Sequence, residues 1–252
     1  MNSSNGTIES KNLFLNSDQL KALAEENNQS YISGQPFPNI YFDNFFDPEI
    51  LNSILEEFPG QSDIEWKKFE NNFAKKLATR NENQFGPSTK AFLHVLNSQP
   101  FIQFLEILTG IENLIPDPNF EGAGLHQILP GGLLKIHAYF NKHPRFKLEK
   151  RLNVLIYLNK DWKEEYGGHF ELWPKDMSKA AVKILPVFNR LALFSTTSNS
   201  YHGHPDALTC PEVMSRKSIA LYYYTNGRPA SEIDESLGVH TTLFQKRTND
   251  KN

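Results

Sequence analysis

The chain has 252 residues, of which 39% are hydrophobic, 12% aromatic and 22% charged, a composition that excludes disorder throughout and is typical of a globular protein. Its formal net charge of −3 gives no support to a nucleic-acid-binding groove. The single cysteine, Cys210, excludes an internal disulfide. The polar start lacks the pattern of a signal peptide, and no apolar run approaches about 20 residues, so we predict a cytoplasmic protein without a membrane segment.

The first 115 residues are predicted to be mainly helical. Residues 1–35 are rich in Asn, Ser and Glu, and we expect a polar N-terminal extension that carries one short helix. A helix is predicted to begin at Asp47, and the segment 88–108 predicts two further helices, interrupted near Pro100. We expect the helices within residues 47–115 to pack on the outside of the domain.

After Gly122 the pattern changes to short segments of alternating polar and apolar residues, separated by glycine and proline turns. Eight strands are predicted, at residues 124–128, 133–140, 152–158, 169–173, 181–184, 190–194, 200–204 and 218–224. So many short strands within about 100 residues predict a closed barrel or a sandwich. The fold class is therefore mainly β with a helical N-terminal layer, in one domain over residues 36–228. Residues 229–252 are predicted to form an irregular or weakly helical tail.

The predicted strands 133–140 and 152–158 each have an apolar face and a polar face. The polar faces carry His137 and Tyr139 on the first strand, and Tyr157 on the second. Because side chains alternate along a strand, these polar faces can meet inside a small barrel and hold a ligand, while helices cover the apolar faces. The alternative is an ordinary sandwich whose polar faces point to solvent.

Five segments of the second half, taken in chain order, carry a family resemblance. They are GGLLKIHAYF, RLNVLIYLNKDW, GGHFELWP, FNRLALFSTTSNSYHGHP and SRKSIALYYY. Together they resemble the iron(II)- and 2-oxoglutarate-dependent oxygenases, in the prolyl-4-hydroxylase-like branch, over roughly residues 36–228. The resemblance implies a double-stranded β-helix (jelly-roll) domain. It also implies an iron(II) ion held by two histidines and a carboxylate, with open positions for a 2-oxo acid and oxygen.

The resemblance assigns roles to individual residues. His137 and His202 match the two metal-binding histidines of the family. Arg216 and Ser218 match the R-x-S pair that binds the distal carboxylate of 2-oxoglutarate, a task that suits the bidentate arginine fork. Tyr157 matches a strand tyrosine that hydrogen-bonds the same carboxylate.

Four further residues have less specific expectations. Asn153 lies on the same predicted strand face as Tyr157, nearer the metal end, and is a candidate for the cofactor site. His126 is a candidate for the substrate mouth, with a packing role as its alternative. His204, in the HGHP turn, leaves open a zinc clip together with His202. Lys150 is expected to lie in a solvated loop between strands.

Tyr139 departs from the family pattern, which places an aspartate or glutamate two residues after the first histidine. In one interpretation Tyr139 binds the metal as a phenolate. In a second, the carboxylate is absent as in the family's halogenases, although a tyrosine fills the space of a halide. In a third, the chain has lost oxygenase activity and keeps the barrel for binding. Asn141 and Asp206 are alternative sources of an oxygen ligand.

We therefore predict an iron(II)- and 2-oxoglutarate-dependent dioxygenase that hydroxylates a prolyl residue, an amino acid or a small metabolite and releases succinate and CO2. Its cofactors would be Fe(II), 2-oxoglutarate and O2, with ascorbate as a further candidate. The expected partner is a small-molecule or peptide substrate, and neither a nucleic acid nor a membrane. The alternatives are a non-catalytic binding or regulatory module and a halogenase-type variant.

Overall fold

The computed structural model describes residues 16–247, which form two antiparallel β-sheets packed face to face and a layer of helices on the larger sheet. The α-helices are α1 (Ser17–Ile32), α2 (Pro48–Glu56), α3 (Pro87–Leu96) and α4 (Gln99–Thr109). In this part of the chain no helix has the length and apolar character needed to cross a membrane.

The strands have the following bounds. They are β1 (Asn39–Asp43), β2 (Lys67–Glu70), β3 (Lys75–Ala78), β4 (Ile115–Pro116), β5 (Gly124–Ile128), β6 (Leu134–Ala138), β7 (Glu149–Tyr157), β8 (Phe170–Trp173), β9 (Val182–Ile184), β10 (Arg190–Ser195), β11 (Tyr201–His204), β12 (Arg216–Thr225) and β13 (Leu243–Phe244). The larger sheet has the order β1-β10-β7-β12-β5-β3-β2, with β4 also paired to β12, and the smaller sheet has the order β13-β6-β11-β8-β9. These two facing sheets and the helical layer confirm the predicted fold class, and all eight strands predicted after Gly122 are present.

The main core lies between the helices and the outer face of the larger sheet. Leu152, Val154 and Ile156 of β7 face this core and pack with the aromatic residues of α4, Phe101 and Phe104. The helices therefore cover the apolar face of β7, as predicted. The opposite face of β7 belongs to a second cluster that lies between the two sheets.

The apolar face of β6 has a different cover from the one predicted. Ile136 and Ala138 pack against Trp173, Met177 and Tyr201, and no residue of the four described α-helices belongs to this cluster. The expectation of a helical cover was wrong for β6, because β6 lies in the smaller sheet and the helices pack on the larger one.

The segment between α2 and α3 forms the β2–β3 hairpin, so the prediction of a mainly helical N-terminal part was wrong here. Strand β3 extends the larger sheet by pairing with β5. At the turn of the hairpin, the Phe73 ring stacks on the Phe244 ring of β13, with 4.7 Å between the centroids. Strand β13 in turn pairs with β6, so part of the predicted irregular tail is a strand.

Helix α1 lies within the predicted polar extension, yet it is part of the folded domain. It packs in the helical core through Leu20, Ala24 and the fully buried Tyr31. The Tyr31 hydroxyl lies 2.7 Å from Oγ of Ser195 on β10, which links α1 to the larger sheet. The remainder of the extension, residues 1–15, lies outside the described residues.

Replacing Tyr31 tests whether α1 contributes to the stability of the domain. We expect Tyr31→Ala to lower the free energy of unfolding by about 3–5 kcal/mol, the cost of deleting a buried aromatic ring. Tyr31→Phe removes the hydroxyl alone and should cost about 0.5–1.5 kcal/mol. Urea denaturation followed by circular dichroism measures both. The control is Tyr41→Phe, a half-exposed tyrosine, and equal stabilities for all these variants would show that α1 does not dock.

Candidate functional site

Two histidines from neighbouring strands of the smaller sheet form the centre of the site. His137 on β6 lies directly opposite His202 on β11, and their ring centroids are 4.4 Å apart. Each ring holds its Nδ1 2.8 Å from a backbone carbonyl oxygen, that of Lys135 for His137 and that of Ser200 for His202. Because a carbonyl can only accept, each Nδ1 donates its proton, which leaves each Nε2 as the free lone pair that a metal ion requires.

The surroundings of the pair keep both imidazoles neutral. Burial lowers the pKa of His137 to about 3. Burial, and then the neighbouring His137, lowers the pKa of His202 well below its ordinary value. The Nε2 atom of His202 is buried and has no hydrogen-bond partner among the described residues. A buried, unprotonated and unpartnered imidazole nitrogen fits a metal ligand, since it gains a partner when a metal binds.

Tyr139 stands beside the histidine pair, at the position where the family carries a carboxylate. Its ring centroid lies 4.6 Å from that of His202 and 5.0 Å from that of His137. Burial raises the pKa of the Tyr139 phenol above its ordinary value, so the side chain remains neutral at pH 7. The structure therefore offers a neutral phenol, rather than an anion, as the third donor.

The two alternative oxygen donors are engaged elsewhere. The Asn141 side chain bonds Gly238 and His240 of the C-terminal segment. Asp206 pairs with Arg247. Between residues 16 and 247, no group of three His, Cys, Asp or Glu side chains is placed to hold a metal ion. The histidine pair thus fits two positions of an iron(II) ion, and Tyr139 stays a predicted third ligand.

Lys150 lies inside the domain, so the expectation of a solvated loop was wrong. Its Nζ lies 3.6 Å from the ring centroid of Tyr139 and 3.2 Å from that of Tyr222, and it has no described hydrogen-bond partner. Lys150 lies inside because of a β-bulge in β7. Tyr223 of β12 pairs with Leu152 of β7, but the next residue, Tyr224, pairs with Lys150, so β7 has one extra residue here. The bulge turns Lys150 to the inner face of the sheet.

The three residues predicted to bind 2-oxoglutarate lie together on the larger sheet. Ser218 on β12 is directly opposite Tyr157 on β7. Arg216 donates from Nη2 to the Tyr157 hydroxyl at 3.4 Å and from Nε to the Gly168 carbonyl at 2.8 Å. The remaining guanidinium N–H groups of Arg216 are available to a carboxylate.

The Gly167-Gly168 turn positions this arginine. Gly168 has a φ of +70°, and a Cβ at this position would lie 3.0 Å from Cδ of Arg216 and 2.6 Å from Cδ2 of Leu208. A side chain at residue 168 would therefore displace Arg216, which explains why the turn needs glycine at this position.

One cavity between the sheets connects the two ends of the site. His202, Tyr139, Arg216 and Ser218 all line it; the other lining residues are Lys76, His126, Ile128, Leu134, Leu155, Phe170, Gly203 and His204. The space open to the centres of water molecules is about 30 Å³, room for about two waters. Of the predicted metal and co-substrate residues, His202, Tyr139, Arg216 and Ser218 thus line one cavity.

Asn153 and Lys76 are two further polar residues at the site. Asn153 lies on the same face of β7 as Tyr157, and both polar atoms of its amide are buried without a partner among the described residues. It remains a candidate for the cofactor site. Lys76 lies on β3, which was not predicted because its polar sequence gives no sign of a strand. His126 lines the cavity beside Lys76, a position that agrees with its candidacy for the substrate mouth.

Comparison with known proteins identifies the family. The model of the 2OG-Fe(II) oxygenase superfamily matches residues 123–224, the stretch that holds the histidine pair and the arginine anchor. This part of the chain is similar to that superfamily. The match confirms the predicted family, and the predicted oxygenase class and cofactors, Fe(II), 2-oxoglutarate and O2, are those of the superfamily. No curated protein matches the sequence.

Solved structures resemble this chain in fold at low sequence identity. A prolyl-4-hydroxylase from Pseudomonas putida matches with 12% identity and a TM-score of 0.58, over 81% of this chain and 100% of its own. A Trichoplax adhaerens prolyl hydroxylase, in complex with a hypoxia inducible factor peptide, matches with 17% identity and a TM-score of 0.56, over 82% and 91%. HygX from Streptomyces hygroscopicus, with nickel, 2-oxoglutarate and hygromycin B bound, matches with 12% identity and a TM-score of 0.51, over 82% and 92%.

Restoring a carboxylate at residue 139 tests the metal site. We expect Tyr139→Asp to tighten binding of Mn(II) by at least about tenfold, which is about 1.4 kcal/mol, because the aspartate adds the negative charge that the phenol lacks. Isothermal titration calorimetry measures the affinity, and Tyr139→Asn is the neutral control of nearly the same size as aspartate. His202→Ala should abolish binding. Equal affinities for the Asp and Asn variants would contradict the role of charge at this position.

Arg216 gives a separate test of the co-substrate anchor. Arg216→Ala should weaken 2-oxoglutarate binding in the presence of Mn(II) by about 1.5–3 kcal/mol, the value of a charge-assisted hydrogen bond. Arg216→Lys keeps the positive charge but lacks the planar guanidinium, so the loss of 2-oxoglutarate affinity should be smaller than in Arg216→Ala. An unchanged affinity in the alanine variant would refute the anchor.

Proposed function

We propose that this protein is an iron(II)- and 2-oxoglutarate-dependent oxygenase that hydroxylates a prolyl residue, an amino acid or a small metabolite. The observation that supports the proposal is one cavity lined by His202, which pairs with His137, and by Arg216 and Ser218. A five-carbon 2-oxo acid has two carboxylates, and the two ends of the site offer one partner to each.

The side chains have separate tasks in this function. The Nε2 atoms of His137 and His202 would hold the iron, and the carbonyl oxygens bonded to their Nδ1 atoms fix the orientation of the rings. Arg216 binds the distal carboxylate, and Ser218 and Tyr157 add hydroxyl groups beside it. Bound iron(II) supplies the oxidative chemistry, in which one oxygen atom of O2 enters succinate and the other enters the substrate as CO2 is released.

The proposed substrate range is supported by the structural neighbours alone. Two of them are prolyl hydroxylases, one with a bound peptide, and HygX holds the small molecule hygromycin B. The fold thus accommodates both peptides and small molecules, which supports the same range for this chain.

A non-catalytic binding module is the second candidate function, and the charges at the metal end favour it. Tyr139 is neutral there, and the Lys150 amine lies 3.6 Å from its ring centroid. With no carboxylate ligand from the described part of the chain, an iron(II) ion would be bound more weakly than in a site with an aspartate.

Succinate formation separates the two functions. The wild-type protein is incubated with Fe(II), 2-oxoglutarate and O2, and the succinate formed without added substrate is measured by mass spectrometry. We expect succinate at least about tenfold above that formed by His202→Ala, a difference of about 1.4 kcal/mol in activation free energy. The matched variant is Tyr139→Asp. Succinate from Tyr139→Asp but none from the wild type would contradict the oxygenase and support the binding module.

A further inference from the structure

The cavity between the sheets is lined by positive charge without matching negative charge. Lys76 of β3 and Arg216 of β12 both line it, and none of its lining residues is Asp or Glu. In the part of the chain that the structure describes, Arg216 bonds a carbonyl and a phenol, and Lys76 lies over the Phe69 ring. Two cations that share a partly desolvated cavity repel each other, and a bound anion removes that cost.

The register of the strands places these two cations on the same face of the larger sheet. His126 of β5 is opposite Ala78 of β3 on one side and Ser218 of β12 on the other. Lys76 is two residues before Ala78, and Arg216 is two residues before Ser218. Because strand faces alternate with a period of two, both side chains point to the cavity side.

Both groups are charged at neutral pH. Burial, and then the charges of Lys67 and Arg216, lower the pKa of Lys76 to about 8, so its amine is still mostly protonated at pH 7. Burial lowers the pKa of Arg216 from its high ordinary value, and the guanidinium remains charged.

His204 adds an unmatched hydrogen-bond donor to the same cavity. Its side chain is 3% exposed, and neither ring nitrogen has a partner among the described residues. In either neutral tautomer one of the two nitrogens carries a proton. This N–H has no acceptor within residues 16–247, and a ligand with acceptor oxygens would satisfy it.

The metal end of the cavity supplies no negative charge either. Tyr139 is a neutral phenol, and Lys150 lies against it. Where a carboxylate ligand is present, it offsets part of the charge of the metal ion; none of the side chains that line this cavity is a carboxylate. A dianion is therefore favoured by the side chains themselves, with or without a metal ion.

We propose that this cavity binds 2-oxoglutarate, and other dicarboxylates of the same length, without a metal ion, and that Lys76 is the second cation that neutralises the dianion. The proposal rests on the Arg216 and Ser218 anchor of the proposed function, and it adds Lys76 and independence from iron.

Lys76 also lies at the boundary between this cavity and the exterior. It lines a groove of about 350 Å³ on the outside of the hairpin, together with Lys68, Lys75 and Pro130. Because the cavity itself has about 30 Å³ of space, binding of a dicarboxylate requires it to widen, and Lys76 is the cavity-lining cation that also borders this groove.

The test is calorimetric titration of the full chain with 2-oxoglutarate in the presence of EDTA. Glutarate serves as the dicarboxylate without the 2-oxo group, and pyruvate as the 2-oxo acid without the second carboxylate. We expect 2-oxoglutarate and glutarate to bind with affinities within about tenfold of each other and pyruvate to bind at least about tenfold more weakly than either, because a charge-assisted contact is worth at least that factor.

A pair of neighbouring lysines provides the matched variants. Lys76→Met removes the charge but keeps a similar side-chain length, and it should weaken 2-oxoglutarate binding in EDTA by at least about tenfold. Lys75→Met changes the next residue of the hairpin, which lines the outer groove but not the cavity. The Lys75→Met variant should bind 2-oxoglutarate with an affinity within about threefold of that of the wild type, since screened surface charges contribute little to binding. Thermal melts of both variants verify that they fold.

The outcomes separate this proposal from the oxygenase function. Binding that is absent in EDTA and returns with Mn(II) overturns metal independence while the oxygenase function stands. Binding in EDTA without any succinate formation supports this proposal and contradicts the oxygenase. Equal losses in Lys76→Met and Lys75→Met, or no loss in either, overturn the role of Lys76.

Discussion

Strand β7 is buried along its entire length and on both faces, and the arrangement of the domain follows from this constraint. One face packs on the helices through aliphatic residues, and the other faces the second sheet. A polar side chain on the inner face has no access to bulk water, so it must find a partner in the protein or in a ligand. Tyr157 finds Arg216, whereas Asn153 and Lys150 have no described hydrogen-bond partner. These buried polar groups without a hydrogen-bond partner thus lie close together on the inner face of β7, at the candidate functional site.

Much of this arrangement could be predicted, because two local signals were strong. The period-2 alternation located the strands, and the glycine turns located their ends, as at the Gly167-Gly168 turn that admits Arg216. The roles of His137, His202 and Arg216 came from the resemblance. Alternation alone cannot predict that His137 lies opposite His202, because their proximity depends on the pairing of strands that are distant in the sequence.

The errors have equally local causes. The β2–β3 hairpin is polar and rich in lysine, so Lys76 resembled a solvated charge and its strand was not predicted. Lys150 was predicted to lie in a solvated loop. It lies inside because a bulge shifts the register by one residue and so reverses the side of the sheet to which the Lys150 side chain points. Both lysines face the interior, and Lys76 adds positive charge to a site that the sequence showed as histidines, one arginine and a tyrosine in place of a carboxylate. The electrostatic character of the site is therefore what the structure adds.

Strand β13 covers the outer edge of the strand that carries His137, and Phe244 rests on Phe73 of the hairpin. During synthesis on the ribosome, β6 emerges long before β13, so its backbone edge stays open until the last strand of the sheet has been translated. An open edge pairs readily with other chains. A chain that lacked β13 would therefore present the open edge of β6, the strand that carries His137, to other chains.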